Sequence, residues 1–189
     1  VPSLSASPAR PTYTSSLDYR RKRLAGRQSM YAQGVRTMHI IDGLDELEAL
    51  AGTELGTSDW LVITQERVDQ FADATLDRQW IHVEPNRAAA ESPYGATIAH
   101  GFLTLSLLPH FQRQITELRG ISRVINYGTN RVRFPAAVRT GARVRAVQTL
   151  LATARVDPGT LRLTCEFIIE IDGEIKPACV AETVSLIYG

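Results

Sequence analysis

The sequence predicts an α+β domain in which one antiparallel sheet wraps around a long buried central helix. Residues 98–118 have the longest helical pattern, and its first half is apolar on nearly every side, which is typical of a helix buried all round. After Gly120 the pattern changes from helical to alternating, so that each predicted strand carries apolar residues on one face. Together these two observations give the fold class.

The segments before the central helix predict short elements. Residues 39–50 place apolar residues near helical spacing and predict a lead-in helix. Residues 59–63 predict a brief strand, and Thr64 after it is a favourable N-cap residue for a helix from Gln65 to near Asp77. A loop over 77–84 follows, and Pro85 begins a helical turn that extends to Ala90.

Five strands are predicted after Gly120, at residues 121–127, 132–134, 143–154, 161–171 and 178–188. Turn sequences separate the later strands, at residues 135–141, at Asp157-Pro158-Gly159 and at Asp172-Gly173. A single sheet leaves one face to be covered, and pairing with a second copy of the chain is a common solution.

Length and composition favour one globular domain. The chain has 189 residues, 44% hydrophobic and 22% charged, and it lacks an apolar run near the ~18 residues that span a bilayer. We expect a soluble, cytoplasmic protein without membrane insertion. Only Cys165 and Cys179 occur, without a CxxC spacing, and we expect both to be inert packing residues.

Charge is distributed unevenly along the chain. Residues 1–37 contain seven basic residues and one acid, which leaves 14 basic and 19 acidic residues in the remainder. The acidic body carries no electrostatic signal for nucleic acid. We expect the leader, rich in Ser, Pro and Arg, to be disordered; a solvated tail, a transit peptide and an anionic-surface or nucleic-acid patch remain alternatives.

A second hypothesis concerns where translation begins. The chain starts with valine, which fits an assigned valine-coded start, whereas Met38 immediately precedes the first patterned segment. If Met38 is the true start, the leader is not made.

Asp77, His82 and Gly101 are the candidate catalytic residues. Asp77 and His82 share one short segment, and their ordinary pKa values differ by about 2.6 units, so the pair can exchange protons with one water. Gly101 begins the central helix, where a free backbone N–H can stabilise a developing enolate oxygen. The alternative is structural: a surface pair that ends one helix, and a glycine that only begins another.

Two segments resemble a known family. Residues 71–85, Phe-Ala-Asp-Ala-Thr-Leu-Asp-Arg-Gln-Trp-Ile-His-Val-Glu-Pro, and residues 98–107, Ile-Ala-His-Gly-Phe-Leu-Thr-Leu-Ser-Leu, resemble the hydratase motif of the MaoC-like (R)-specific enoyl-CoA hydratases. The likeness continues through residues 125–135 and 176–182. It covers Met38 to the end, and is greatest to short mycobacterial-type members with a single hotdog fold.

The resemblance implies a reaction and a site. Asp77 and His82 match the family's catalytic pair, and Gly101 matches the glycine whose amide polarises the thioester carbonyl. Members add water to a trans-2-enoyl-CoA to give the (R)-3-hydroxyacyl-CoA, without a metal or redox cofactor, and they form dimers. Several relatives have Asn-Pro where this chain has Gln79-Trp80, which affects the loop shape. Which of Asp77 and His82 is the base stays open, because coupled groups titrate together.

Five further residues are candidates for substrate binding: His100, Phe102, Asn126, Arg131 and Arg133. The alternative for His100 is that it is a core histidine bonded to the backbone. The alternative for Asn126 is that its amide stabilises a turn. Arg131 and Arg133 alternate onto one strand face and suit coenzyme phosphates, with a solvated outer sheet face as the slightly favoured alternative. The volume behind Phe102 and its apolar neighbours would set the preferred acyl length.

Other functions remain possible. A metal site from His82, Glu84 and His100 has no recognised ligand spacing, so we expect no metal. A hotdog thioesterase would polarise the same carbonyl but direct water to C1. A non-catalytic acyl-CoA-binding or partner subunit is the remaining alternative.

Overall fold

The computed structural model describes residues 38–189, so the prediction of a disordered leader over residues 1–37 lies outside the described residues. The strands are β1 (His39–Asp42), β2 (Glu54–Thr57), β3 (Leu61–Val62), β4 (Thr116–Arg119), β5 (Arg123–Arg133), β6 (Arg143–Asp157), β7 (Thr160–Ile171) and β8 (Cys179–Tyr188). The helices are α1 (Gly43–Ala49), α2 (Gln65–Thr75), α3 (Trp80–Val83), α4 (Pro85–Glu91), α5 (Gly101–Ser106) and α6 (Leu108–Ile115).

The main sheet is antiparallel, with the strand order β2-β6-β7-β8-β5, and β3 also pairs with β6. Strands β1 and β4 form a separate parallel pair. The predicted inner face of β7 is confirmed, because its alternate residues are all buried: Leu161, Leu163, Cys165, Phe167, Ile169 and Ile171. The α+β fold class is therefore confirmed.

The central helix is shorter than predicted and interrupted. Instead of one helix over 98–118, α5 and α6 are separated by a turn at Leu107, and residues 116–119 form β4. Pro109 in the first turn of α6 explains the interruption, because it has no N–H and its ring would clash with the carbonyl four residues earlier. The helix is also not buried all round, since Phe102 is 67% exposed.

Three other predictions need correction. Only the second part of residues 39–50 is helical, because residues 39–42 pair with β4 and Gly43 turns the chain with φ +77°. The two strands predicted at 121–127 and 132–134 are one strand, β5, interrupted by two register shifts. The predicted loop over 77–84 contains a short helix, α3.

Other predicted features are confirmed. The Thr64 hydroxyl caps α2 by accepting a hydrogen bond from the Arg67 N–H at 3.2 Å, and Pro85 begins α4. Cys165 and Cys179 are buried, and desolvation raises the pKa of Cys165 to about 11 and of Cys179 to about 12, so both thiols stay protonated at neutral pH. Within residues 38–189, no helix combines the length and apolar character needed to cross a membrane.

Two features of the fold bear directly on the site. The edge strand β5 is exposed along nearly its whole length. Helix α2 ends at Leu76, which has left-handed backbone geometry (φ 61°) and a side chain that is 80% exposed. Glycine is the usual residue in this conformation, because a Cβ there costs about 1–2 kcal/mol.

Replacing Leu76 by glycine should stabilise the protein. We expect Leu76→Gly to raise the free energy of unfolding by about 0.5–1 kcal/mol, because the relief of strain exceeds the extra chain entropy of glycine. Leu76→Ala retains the Cβ and serves as the control, with stability close to the unchanged protein. Urea unfolding measures both; a glycine variant less stable than the alanine variant would contradict the interpretation.

Candidate active site

The Asp77–His82 segment follows directly from the end of α2. The left-handed turn at Leu76 redirects the chain, so that Asp77 lies outside the helix with a side chain 58% exposed. His82 lies on α3 and is only 8% exposed. The prediction that both residues lie in a loop is therefore wrong for His82, which lies in a short helix. The two residues still lie within one short segment, as expected.

Backbone hydrogen bonding fixes the protonation pattern of the His82 ring. Its Nδ1 lies 2.7 Å from the Ile98 carbonyl oxygen. Since a carbonyl oxygen only accepts, Nδ1 must carry the proton, and Nε2 of the neutral ring then holds a lone pair. His82 is thus set up as a base at Nε2.

Gln65 holds the backbone of His82, a role that was not predicted from the sequence. Its Nε2 donates to the His82 carbonyl at 2.7 Å and to Asp69 at 2.8 Å, while its Oε1 accepts from the buried Thr97 hydroxyl. Thr97 in turn bonds Thr140 at 2.8 Å. The only sequence signal was a polar residue in the first turn of a helix, which is usually a surface position.

His100 lies against both members of the pair. It precedes α5 and is 3% exposed, and its Nε2 lies 2.9 Å from the Asp77 carbonyl oxygen and 4.0 Å from Oδ2 of Asp77. Its ring stacks on His82 with centroids 3.7 Å apart and an interplanar angle of 27°. Within the described residues, the contacts of His100 are those of a buried histidine bonded to the backbone. This is the alternative to substrate binding that the sequence left open for this residue.

The surroundings of His82 favour its neutral form. Burial is the main cause that lowers the pKa of His82 below its ordinary value, and a charge on His100 lowers it further. The hydrogen bond to Ile98 and the carboxylate of Asp77 act in the opposite direction. The ring therefore stays unprotonated to lower pH than a free imidazole.

His82 and Gly101 both line a pocket of about 300 Å³. Its walls come from the segment before α5, from α5 and from the residues after β5, including Tyr94, Thr104, Phe134 and Ala137. Gly101 is the first residue of α5, so its N–H has no partner within the helix. Asp77 does not line this pocket. Its carboxylate lies beside the rings of His82 and His100, with one donor atom of each residue within 4.8 Å of the others.

Gly101 is in close contact with Phe134. A Cβ at position 101 would lie 2.9 Å from two carbon atoms of the Phe134 ring, closer than side chains pack. Glycine is therefore required for the approach of this ring to the start of α5. The same ring packs edge-on against the predicted site residue Phe102, with centroids 5.9 Å apart.

The other predicted substrate-binding residues lie away from His82. Asn126 lines a second pocket, of about 410 Å³, between the two central helices and the strands β5 and β8. Arg131 and Arg133 pair with Glu182 and Val180 on the outer face of the sheet, opposite the buried Ala181. The structure therefore does not bring the two arginines into the His82 pocket.

Asp77, His82 and His100 also form a possible metal-ligand group, with one donor atom from each lying within 4.8 Å of the others. Glu84, a candidate ligand in the sequence, is not part of it. The ring centroids are 3.7 Å apart, and the nitrogen of each ring that bonds a backbone carbonyl carries a proton and cannot bind a metal ion. The geometry therefore does not fit a shared metal.

Comparisons with known proteins give consistent results. The MaoC like domain family model matches residues 46–160. A 3-hydroxyacyl-thioester dehydratase Z from Mycobacterium tuberculosis is 51% identical over 147 residues, which are 78% of this chain and 97% of that protein.

Two solved structures have a similar fold. A monoamine oxidase regulatory protein from Archaeoglobus fulgius has a TM-score of 0.67 at 20% identity, covering 81% of this chain and 98% of its own. An (R)-hydratase from A. caviae involved in PHA biosynthesis has a TM-score of 0.56 at 23% identity, covering 82% and 98%. The predicted hotdog fold is thereby confirmed.

Adding a methyl group at Gly101 should strain the contact with Phe134. We expect Gly101→Ala to destabilise the protein by about 1–3 kcal/mol, because the ring must leave its position. Combining it with Phe134→Ala should recover part of this loss, through a coupling of about 0.5–3 kcal/mol. Gly128→Ala on β5 is the control, since its Cβ would meet no atom within 4 Å. Additive effects in a thermodynamic cycle would contradict the contact.

Proposed function

Because the chain belongs to the MaoC-like domain family and is a dehydratase of that type, we propose that it hydrates trans-2-enoyl-CoA to (R)-3-hydroxyacyl-CoA, reversibly, in the cytoplasm. One observation carries the proposal: a buried histidine and a helix-starting glycine line one small pocket, and the Asp77 carboxylate lies beside that histidine. These are the groups that water addition to an α,β-unsaturated thioester needs.

The thioester carbonyl binds at the Gly101 N–H in this proposal. Negative charge develops on the carbonyl oxygen as water attacks the β-carbon, and a backbone donor at that position stabilises the enolate. Such a donor contributes on the order of 3 kcal/mol in the transition state.

His82 and Asp77 hold and activate the water. His82 Nε2 removes one proton from the water as its oxygen bonds to the β-carbon, and the resulting imidazolium delivers that proton to the α-carbon. Asp77 accepts the second hydrogen bond of the water and stabilises the transient imidazolium. The net reaction adds one H and one OH across the double bond, and the enzyme returns to its starting protonation state.

A second copy of the chain is the proposed partner, giving a homodimer that pairs along β5. This edge strand is exposed, and unpaired edges are usually covered or charged. Large apolar residues on and beside it are also exposed: Phe102, Val124, Ile125, Tyr127 and Phe134. Two such edges related by a two-fold axis would cover one another.

Removing either member of the pair should abolish hydration without unfolding the protein. We expect Asp77→Asn and His82→Gln to lower kcat by at least about 10²-fold. His82→Gln removes the proton transfer, and Asp77→Asn removes the carboxylate that holds the water and stabilises the imidazolium. Loss of enoyl absorbance with crotonyl-CoA, followed by chiral analysis of the product, measures the reaction.

Controls separate the alternatives. Release of free thiol would indicate a thioesterase, and inactivity of the purified protein alone would favour a partner subunit. Near-normal activity in both variants, with circular dichroism unchanged, would contradict the assignment of the pair.

Charges placed on the β5 edge should separate the proposed dimer. We expect Val124→Lys and Tyr127→Lys to shift the mass measured by light scattering from twice the chain mass toward the monomer, because a desolvated lysine opposes the contact. Val156→Lys replaces another exposed apolar residue, on β6, and should not change the mass. A monomeric unchanged protein, or equal effects of all three variants, would contradict the proposed interface.

A further inference from the structure

We propose that His100 is a positioning residue that holds Asp77 with one ring nitrogen and holds His82 with the face of its ring. This inference rests on the proposed hydratase function, for which it assigns the residue that orders the pair. His100 need not touch the substrate, since its described contacts are with Asp77, His82 and Phe71.

The first contact fixes the backbone of Asp77. His100 Nε2 lies 2.9 Å from the Asp77 carbonyl oxygen, which can only accept, so Nε2 carries the proton and donates. Asp77 follows a residue in left-handed conformation and its side chain is largely exposed, so few contacts of its own hold it in place. The His100 hydrogen bond therefore sets where its carboxylate can reach.

The second contact fixes the ring of His82. The His100 ring covers one face of it at 3.7 Å, and Phe71 packs against His100 with centroids 5.2 Å apart. The His100 carbonyl also accepts from the N–H groups of Leu103 and Thr104, at 3.1 and 3.3 Å. One residue thus connects Asp77, His82 and the helix that begins with Gly101.

The tautomer of His100 follows from these bonds. With the proton on Nε2, Nδ1 holds a lone pair, and this buried atom has no hydrogen-bond partner among the described residues. A positive charge on this ring, whose centroid lies 3.7 Å from that of His82, would oppose protonation of His82, because like charges in contact repel in a poorly solvated site.

The pair of rings also shapes the pH dependence. Titratable groups near His82 include Asp77, His100 and the Tyr94 phenol of the pocket wall, and Asp69 on α2 shares the Gln65 amide with the His82 carbonyl. Repulsion by a charged His100 adds to burial in lowering the pKa of His82, and the neutral ring is the active form. Activity is accordingly retained above this lowered pKa and lost as pH falls through it.

Two substitutions separate the two contacts. His100→Gln can keep an N–H near the Asp77 carbonyl but removes the ring, whereas His100→Phe keeps a ring on His82 but removes the donor. We expect kcat to fall at least about tenfold in the Phe variant, with KM within twofold, because Asp77 loses its anchor. A smaller fall in kcat is expected for the Gln variant.

The pH profile provides a readout that general destabilisation would not produce. Neither variant can carry a charge at position 100, so the pKa of His82 should rise and the acid limb of kcat/KM should move to higher pH in both. His110→Gln, which replaces an exposed histidine on α6, is the matched control and should leave the profile unchanged. Acid limbs that coincide with that of the unchanged protein in both variants would overturn the proposal.

A measurement independent of activity keeps this inference separate from the proposed function. Nitrogen-15 NMR of the unchanged protein should find the proton on Nδ1 of His82 and on Nε2 of His100 at neutral pH. The opposite tautomer at His100 would overturn the proposal even in an active enzyme. Inactivity toward enoyl-CoA, with these tautomers present, would reject the hydratase function and leave the positioning contacts standing.

Discussion

Apolar packing of α5 and α6 against the inner face of the sheet is the constraint on which the site depends. Buried residues of the two helices, such as Leu103 and Phe111, join one core with the inward side chains of β6, β7 and β8. This burial fixes the start of α5, and with it His100 and Gly101. The catalytic candidates are then brought to that point by a segment that follows α2.

The polar groups of the site are placed where the core would otherwise be apolar. Burying a polar group without a partner costs about 1–3 kcal/mol, so each needs a hydrogen bond. His82 meets this need through Ile98 at its ring and Gln65 at its backbone. Those bonds leave Nε2 as the ring atom not committed to the fold, which is why the ring can serve as a base rather than only as a buried residue.

The sequence predicted the alternating strands after Gly120 better than the contacts within the candidate site. Period-two alternation identified the inner face of β7 correctly, since burial on one face directly selects for it. The break at Pro109 could also have been recognised, because proline opposes helix continuation. Gln65 could not, because its partners His82 and Thr97 lie 17 and 32 residues away and only the tertiary fold brings them together.

The arginines of β5 illustrate a second feature of the structure that could not be predicted from the sequence. Their alternation placed Arg131 and Arg133 on a common face, but which face of the sheet is the outer one depends on pairing with β8, where the buried Ala181 lies opposite Val132. Each of the two register shifts in β5 adds one residue relative to β8, so the second shift restores the face that the first one changes. Pairing of this kind leaves no period in the sequence of β5.

The same strand links the edge of the sheet to the start of α5. Val132 lies on the inner face of β5, and two residues later Phe134 contacts Gly101. Phe134 is partly exposed and packs on the largely exposed Phe102, so these rings lie both beside the pocket and on the surface that a second copy would cover. Covering that surface would restrict the rotation of Phe134. Because a Phe134 side chain that turns away would uncover Gly101, the proposed pairing along β5 and the shape of the proposed thioester site would be coupled through this one side chain.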